Sequence, residues 1–183
     1  MIAPDMVEED KIITVEDKPL EALQSEILTR VRDCAFASAK GTGPFKKNKI
    51  CPTDMPECLP HICLVERLSS GSKVFKIRLT GEEVINRTLG YVADHFIEDL
   101  TPDYYSQALV KYYVQALDQG HQVAQDITWD YDHRLLRIER FMAPLYIREE
   151  DDSPNGLLIA TRRGNEARDY MKSERHFKPE NAR

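Results

Sequence analysis

Three stretches of this 183-residue chain hold residues that could do chemistry. The first is "CLPHIC", where Cys58, His61 and Cys63 stand close together. Structural zinc sites set paired ligands roughly two to four residues apart on a knuckle turn. Here His61 and Cys63 are two apart on an expected strand, and neither they nor Cys34 and Cys51 form a C-x-x-C pair. Small buried residues beside an ordinary histidine explain the cluster better than a metal. The second is "QVAQDITWDYD", in which Asp126, Asp130 and Asp132 alternate on the polar side of a strand and run into a turn. That is the pattern of a solvated face, not of paired catalytic carboxylates. The third is Tyr112–Tyr113, phenols that a small isomerase-like α+β enzyme could place deep in a pocket. The histidines at 61, 95, 121, 133 and 176 show no metal-ligand pairing, and no G-x-S-x-G or phosphate-binding loop occurs. The expectation is a protein that is not an enzyme and holds no metal.

Composition narrows the partners. Charged residues make up 31% and hydrophobic ones 42%, with a net charge of -6, as in a soluble globular domain. An acidic chain with pI near 5.4 does not offer a broad nucleic-acid footprint. The cations of the tail (Arg162, Arg163, Arg168, Lys172, Arg175, Lys178, Arg183) alternate with Glu166, Asp169, Glu174 and Glu180, which weakens attraction for phosphate. No apolar run approaches the roughly 20 residues of a membrane span. The opening "MIAPDMVEEDKIITVEDKP" has no apolar region of the secretory kind, so a cytoplasmic location is expected.

The elements that would position these residues follow from punctuation and periodicity. Residues 1–18 are acidic and aperiodic and are expected to be loosely ordered. An amphipathic helix is predicted within 19–43, opened by Pro19 and closed by Gly41 and Gly43. Its stripe of Leu20, Leu23, Ile27 and Val31 would either fold back on the domain or form a homodimer interface. Pro44, Pro52, Pro56 and Pro60 mark a connector, with Lys46, Lys47 and Lys49 in a solvated loop. "HICLVERL" and "KVFKIRLTG", joined by "SSGS", read as a hairpin whose second strand sets Phe75, Ile77 and Leu79 against a wet face. After Gly81 come the short segment "EEVINR" and an expected helix, "YVADHFIEDL". Thr101–Pro102 then opens a longer helix that Gly120 closes. Three strands complete the set: "QVAQDITWDYD", with Gln125 interrupting an apolar face, "LLRIERFMAPLYI" and "GLLIATRR". A polar tail occupies 164–183.

Two hairpin pairs around a helical crossover predict an α+β fold with a five-stranded antiparallel sheet and helices across one face. Four stretches carry a further likeness: "ICPTDMPECLPHICLVE", "FKIRLTGEEVINRTLG", "ERFMAPL" and "GLLIAT". Over residues 44–163 the chain resembles the stand-alone PAS proteins of bacteria. It departs from them at Asn86, where a glycine is usual; asparagine also tolerates a left-handed backbone. The resemblance implies a sensor or adaptor that contacts another signalling protein, with a small ligand possible between sheet and helices. The competing reading is a PAS-type ligand store. Phe96, Tyr113, Trp129, Arg140 and Met142 are the candidate ligand-binding residues, together with Phe141; Arg140 could orient a carboxylate. The same side chains at these spacings also suit an ordinary core. Some PAS domains hold haem through a helical histidine, and His95 stands in that region, but a lone histidine there is ordinarily structural. A flavin-reactive cysteine would fall between Gly81 and Gly120, where the chain has none. Neither haem nor flavin is expected.

Overall fold

Alternating apolar residues become strands throughout the computed structural model, which describes residues 13–84, 93–100, 103–131 and 134–163. The strands are β1 (Ile13–Lys18), β2 (Phe45–Lys46), β3 (Ile62–Arg67), β4 (Phe75–Thr80), β5 (Val123–Tyr131), β6 (Arg134–Tyr146) and β7 (Gly156–Arg163). The two longest described helices are α1 (Glu26–Ala39) and α2 (Asp103–Gln119). One sheet runs β1-β5-β6-β7-β3-β4, with every neighbouring pair antiparallel. β2 adds a short parallel pairing to the end of β6, Phe45 opposite Leu145. The chain is thus α+β, and its sheet has seven strands rather than five.

Side-chain alternation splits the core into two layers. On one face Leu28, Val31 and Ala35 of α1 pack with Phe45, Met55, Ile62, Leu64, Phe141, Ala143 and Leu158. On the other, Leu109, Tyr113, Ala116 and Leu117 of α2 pack with Val65, Phe75, Ile77, Met142 and Ile159. Helices therefore cover both faces, not one. The expected dimer stripe explains the difference. Leu23 and Val31 are buried in the chain's own core, and Leu20 and Ile27 pack against it, so the stripe is used internally.

The N-terminal boundaries also move. Ile13–Lys18, expected to be loosely ordered, pairs along β5 from Ile13–Trp129 to Lys18–Ala124. Pro19 starts only a 3-10 turn, Leu20–Ala22. The α-helix begins after Ser25, whose side chain accepts a bond from the Leu28 amide at 3.4 Å. Glu139 of β6 accepts from the amides of Gln24 (2.7 Å) and Ser25 (2.8 Å), and from Lys18 Nζ at 2.5 Å. One carboxylate thereby ties the N-terminus of α1, and the end of β1, to the sheet. Burial disfavours its charge, but these three donors hold its carboxyl below the ordinary range. The helix ends at Lys40, in the left-handed conformation (φ 55°).

The proline-rich connector is more regular than expected, folding into 3-10 turns at Lys47–Lys49, Pro52–Asp54 and Pro56–His61. "YVADHFIEDL" is not a helix where it is described: Ala93–Asp94 form a turn, Phe96 bridges to Lys76, and Ile97–Asp99 make a 3-10 turn. Tyr91 and Val92 of that segment, Asn86, Gly90, Thr101–Pro102 and the 164–183 tail lie outside the described residues. In β4 the register shifts, so that Ile77 faces Val65 while Leu79 faces Leu64. Arg78 is the extra residue of a bulge, and Leu79 is turned out of the predicted apolar face to 48% exposure.

Gly81 matters for a reason other than backbone freedom. A Cβ there would stand 2.2 Å from the Leu59 carbonyl oxygen, while the Gly81 amide donates to Ile62 O at 2.8 Å. The exit of β4 is pressed against the connector backbone. Gly81→Ala is expected to cost about 2–3 kcal/mol, read as a lower urea midpoint with an unchanged slope. Glu139→Gln should cost about 1–2 kcal/mol near neutral pH. Because the native carboxyl titrates lower than the unfolded one, its contribution is lost as pH falls through the native value. The gap between wild-type and variant urea midpoints should therefore close on acidification; a gap independent of pH would contradict the assignment.

Candidate functional site

The side of the sheet that faces α2 carries a polar row that crosses four strands. Register places Asp17 opposite Gln125, Gln125 opposite Arg140, and Arg140 opposite Thr161. Arg140 is only 2% exposed. Its Nε and Nη2 both donate to Gln125 Oε1, at 3.0 and 2.5 Å, and Gln125 Nε2 donates to Asp17 Oδ1 at 2.7 Å. The guanidinium also lies over the rings of Tyr113 (5.6 Å) and Tyr112 (5.8 Å). Burial lowers its pKa, partly offset by the neighbouring tyrosines. Among the described residues no carboxylate pairs with it. The Tyr113 phenol is a further hydrogen-bond partner of this desolvated guanidinium, whose burial would be costly without the hydrogen bonds around it.

A second cation shares this face. Arg163 lies opposite Ile138, so Arg140 and Arg163 are diagonal neighbours on β6 and β7, with backbones about 7–8 Å apart. Arg163 Nε is buried without a hydrogen-bond partner among the described residues, and burial lowers the group's pKa. Tyr105 of α2 influences both guanidiniums and stacks on Trp129, with ring centroids 4.9 Å apart and planes 17° from parallel. Tyr105, Tyr112 and Tyr113 belong to the helix face turned toward the sheet. Burial drives the Tyr113 phenol far above its ordinary pKa, so at neutral pH it can donate or accept a hydrogen bond but is a poor base. The Cys63 thiol, pushed up to about 12 by burial, is likewise a poor nucleophile.

The predicted ligand residues separate accordingly. Tyr113 and Arg140 meet directly, and Trp129 joins their neighbourhood through Tyr105. Met142 is fully buried in the α2-side core, and Phe141 points to the opposite layer. Phe96 sits at the far side of the sheet, bridged to Lys76 with Lys73 Nζ over its ring at 5.1 Å. His95 is exposed in a turn. His61 ends the 3-10 turn before β3, and among the described residues no group of three or more His, Cys, Asp or Glu could hold a metal ion. All four cysteines are free thiols. No described helix is long and apolar enough to cross a membrane.

Gln125, Arg163, Tyr105 and Asp17 escaped the sequence reading. Gln125 left a signal: it stood as the polar interruption of an otherwise apolar face, which is where a buried partner for a charge would stand. An open groove of about 770 Å³ lies at the N-terminus of α1, lined by Gln24, Ser25, Arg137, Glu139, Arg162 and Arg163 among others. It holds charges of both signs, and of the two guanidiniums on the α2 face it reaches only Arg163. Comparison of the chain with protein families, with curated proteins and with solved structures finds no match.

The Arg140–Gln125 bond can be tested by its asymmetry. Gln125→Leu strands a buried cation and should cost about 3 kcal/mol. Adding Arg140→Met removes that cation, so the double variant should recover much of the loss. Urea unfolding of the two single variants and the double variant measures this coupling; strictly additive losses would show that the pair is not energetically linked.

Proposed function

We propose that the chain is a PAS-type sensor or adaptor, in which the space between sheet and α2 receives a small molecule and the outcome passes to another signalling protein by surface contact. One observation carries the reading. The hairpin β3–β4 and the strands β5–β7 form a single antiparallel layer because β7 pairs with β3, and α2, from the crossover between them, packs over one face of it. Without β1 and β2 the order is β5-β6-β7-β3-β4, so that early and late strands share one antiparallel layer, which supports the reading. The polar row on Arg140 supports a ligand at that face: the charge is deep, it is not paired with a carboxylate among the described residues, and aromatic rings surround it. The store reading differs only in making the bound molecule the end rather than the signal.

Native mass spectrometry of protein purified without added ligand tests the proposal. The expected result is a small molecule retained at one copy per chain in the native spectrum and lost on denaturation. A bare native mass, together with no shift in thermal unfolding from any small molecule or protein partner tried, would overturn it.

A further inference from the structure

We infer that two copies of this chain associate through two oppositely charged loops that stand side by side at one end of the sheet. β2 and the 3-10 turn after it carry Lys46, Lys47 and Lys49, all exposed. The connection from β6 to β7 carries Glu149, Glu150, Asp151 and Asp152, of which only Asp151 is partly covered. The two loops touch: Asn48 Nδ2 donates to the Glu149 carboxylate, and Lys46 Nζ donates to the Glu149 carbonyl at 3.4 Å. Other described lysines are committed. Lys18, Lys73 and Lys76 are ion-paired, and Lys111 lies over the Tyr112 ring at 5.5 Å. Among the described residues Lys40, Lys46, Lys47 and Lys49 make no ion pair, so the uncommitted ammonium groups gather between the end of α1 and the end of the basic turn. No acid of the neighbouring loop makes one either.

Both loops are held in place. Phe45 is 3% exposed and pairs with Leu145, the Ile50 amide donates to Lys47 O at 3.1 Å, and Ser38 Oγ donates to Lys49 O at 3.4 Å. On the acidic side the Arg148 amide donates to Asp151 Oδ2 at 2.8 Å and the Ile147 amide to Asn155 Oδ1 at 3.1 Å. Little loop entropy is left to lose when a second surface engages them. A copy related by a two-fold axis sets each basic loop over the other copy's acidic loop, and the contact occurs twice. The complement is thus present on the same surface, and the second copy is the occupant that supplies it. This surface takes the place of the α1 stripe, which is used inside the chain. The net charge of -6 opposes the approach of two copies, so the association is weak and belongs to high concentration.

Sedimentation equilibrium of the full chain, from about 10 μM to roughly 1 mM, is the test. The wild type should form a reversible dimer within that range. Lys47→Glu with Lys49→Glu, and separately Glu150→Lys with Asp152→Lys, should each raise the dimer Kd by about tenfold or more. An equimolar mixture of the two double variants should dimerise again, because each then offers the charge that the other lacks. Combining all four substitutions in one chain exchanges the signs of the loops and leaves the net charge at the wild-type value of -6. That variant should return to within about threefold of the wild-type Kd. Should either double reversal fail to fold by circular dichroism, Lys47→Gln with Lys49→Gln or Glu150→Gln with Asp152→Gln takes its place, with a weakening of about threefold. A wild type that stays monomeric throughout would overturn the inference. So would a dimer that both double variants retain, or one that neither the mixture nor the fourfold variant recovers. The result is independent of whether the α2 face receives a ligand.

Discussion

β7 is the strand on which the arrangement of the molecule depends. It forms hydrogen-bonded ladders with β6 along one edge and with β3 along the other, so it alone joins the first hairpin to the last. Removing it from the sheet would leave β3–β4 and β1-β5-β6 as separate ribbons, each too small to hold a helix on either face. Its side chains serve both layers as well. Leu158 and Ala160 face α1, while Leu157 and Ile159 face α2. The bulk of the apolar burial is therefore organised around a segment that is buried on both sides, which explains why "GLLIA" reads as a continuous apolar run.

Against that apolar background the polar row through Gln125 and Arg140 stands out energetically. A well-packed apolar pair would serve stability at least as well as a buried guanidinium and its amide partner. Two of the ion pairs elsewhere are different in kind. Arg67–Asp118 and Lys73–Asp99 lie at the surface, where such contacts contribute little.

Much of this was legible in the sequence because period and punctuation act locally. The hairpin around "SSGS", the helix closed by Gly120, and the three final strands all occur where alternation and glycine placed them. The helix "YVADHFIEDL" and the inward position of Leu79 failed for tertiary reasons. The first is drawn into a bridge with β4, and the second is displaced by a bulge that no local pattern signals. The amphipathic stripe of α1 was visible, but a stripe cannot say whether its cover is the same chain or another. Arg140 and Tyr113 were identified as candidates, whereas Arg163 was read as one more cation of a mixed-charge tail. Only the pairing of Arg163 with Ile138 places it on the inner face of β7.

The acidic opening segment turned out to contain β1, and its last two residues reach opposite sides of the sheet. Asp17 accepts from Gln125 beneath α2, while the adjacent Lys18 reaches Glu139 beneath α1. This clasp complicates any attempt to isolate the domain by trimming. A fragment begun at Pro44, where the strand pattern of the sequence would set the boundary, would lose α1 and also Asp17, the acceptor for Gln125, and the donors to Glu139. Its behaviour in solution would report on a sheet with one face uncovered and a bare outer strand, and would say little about the intact protein.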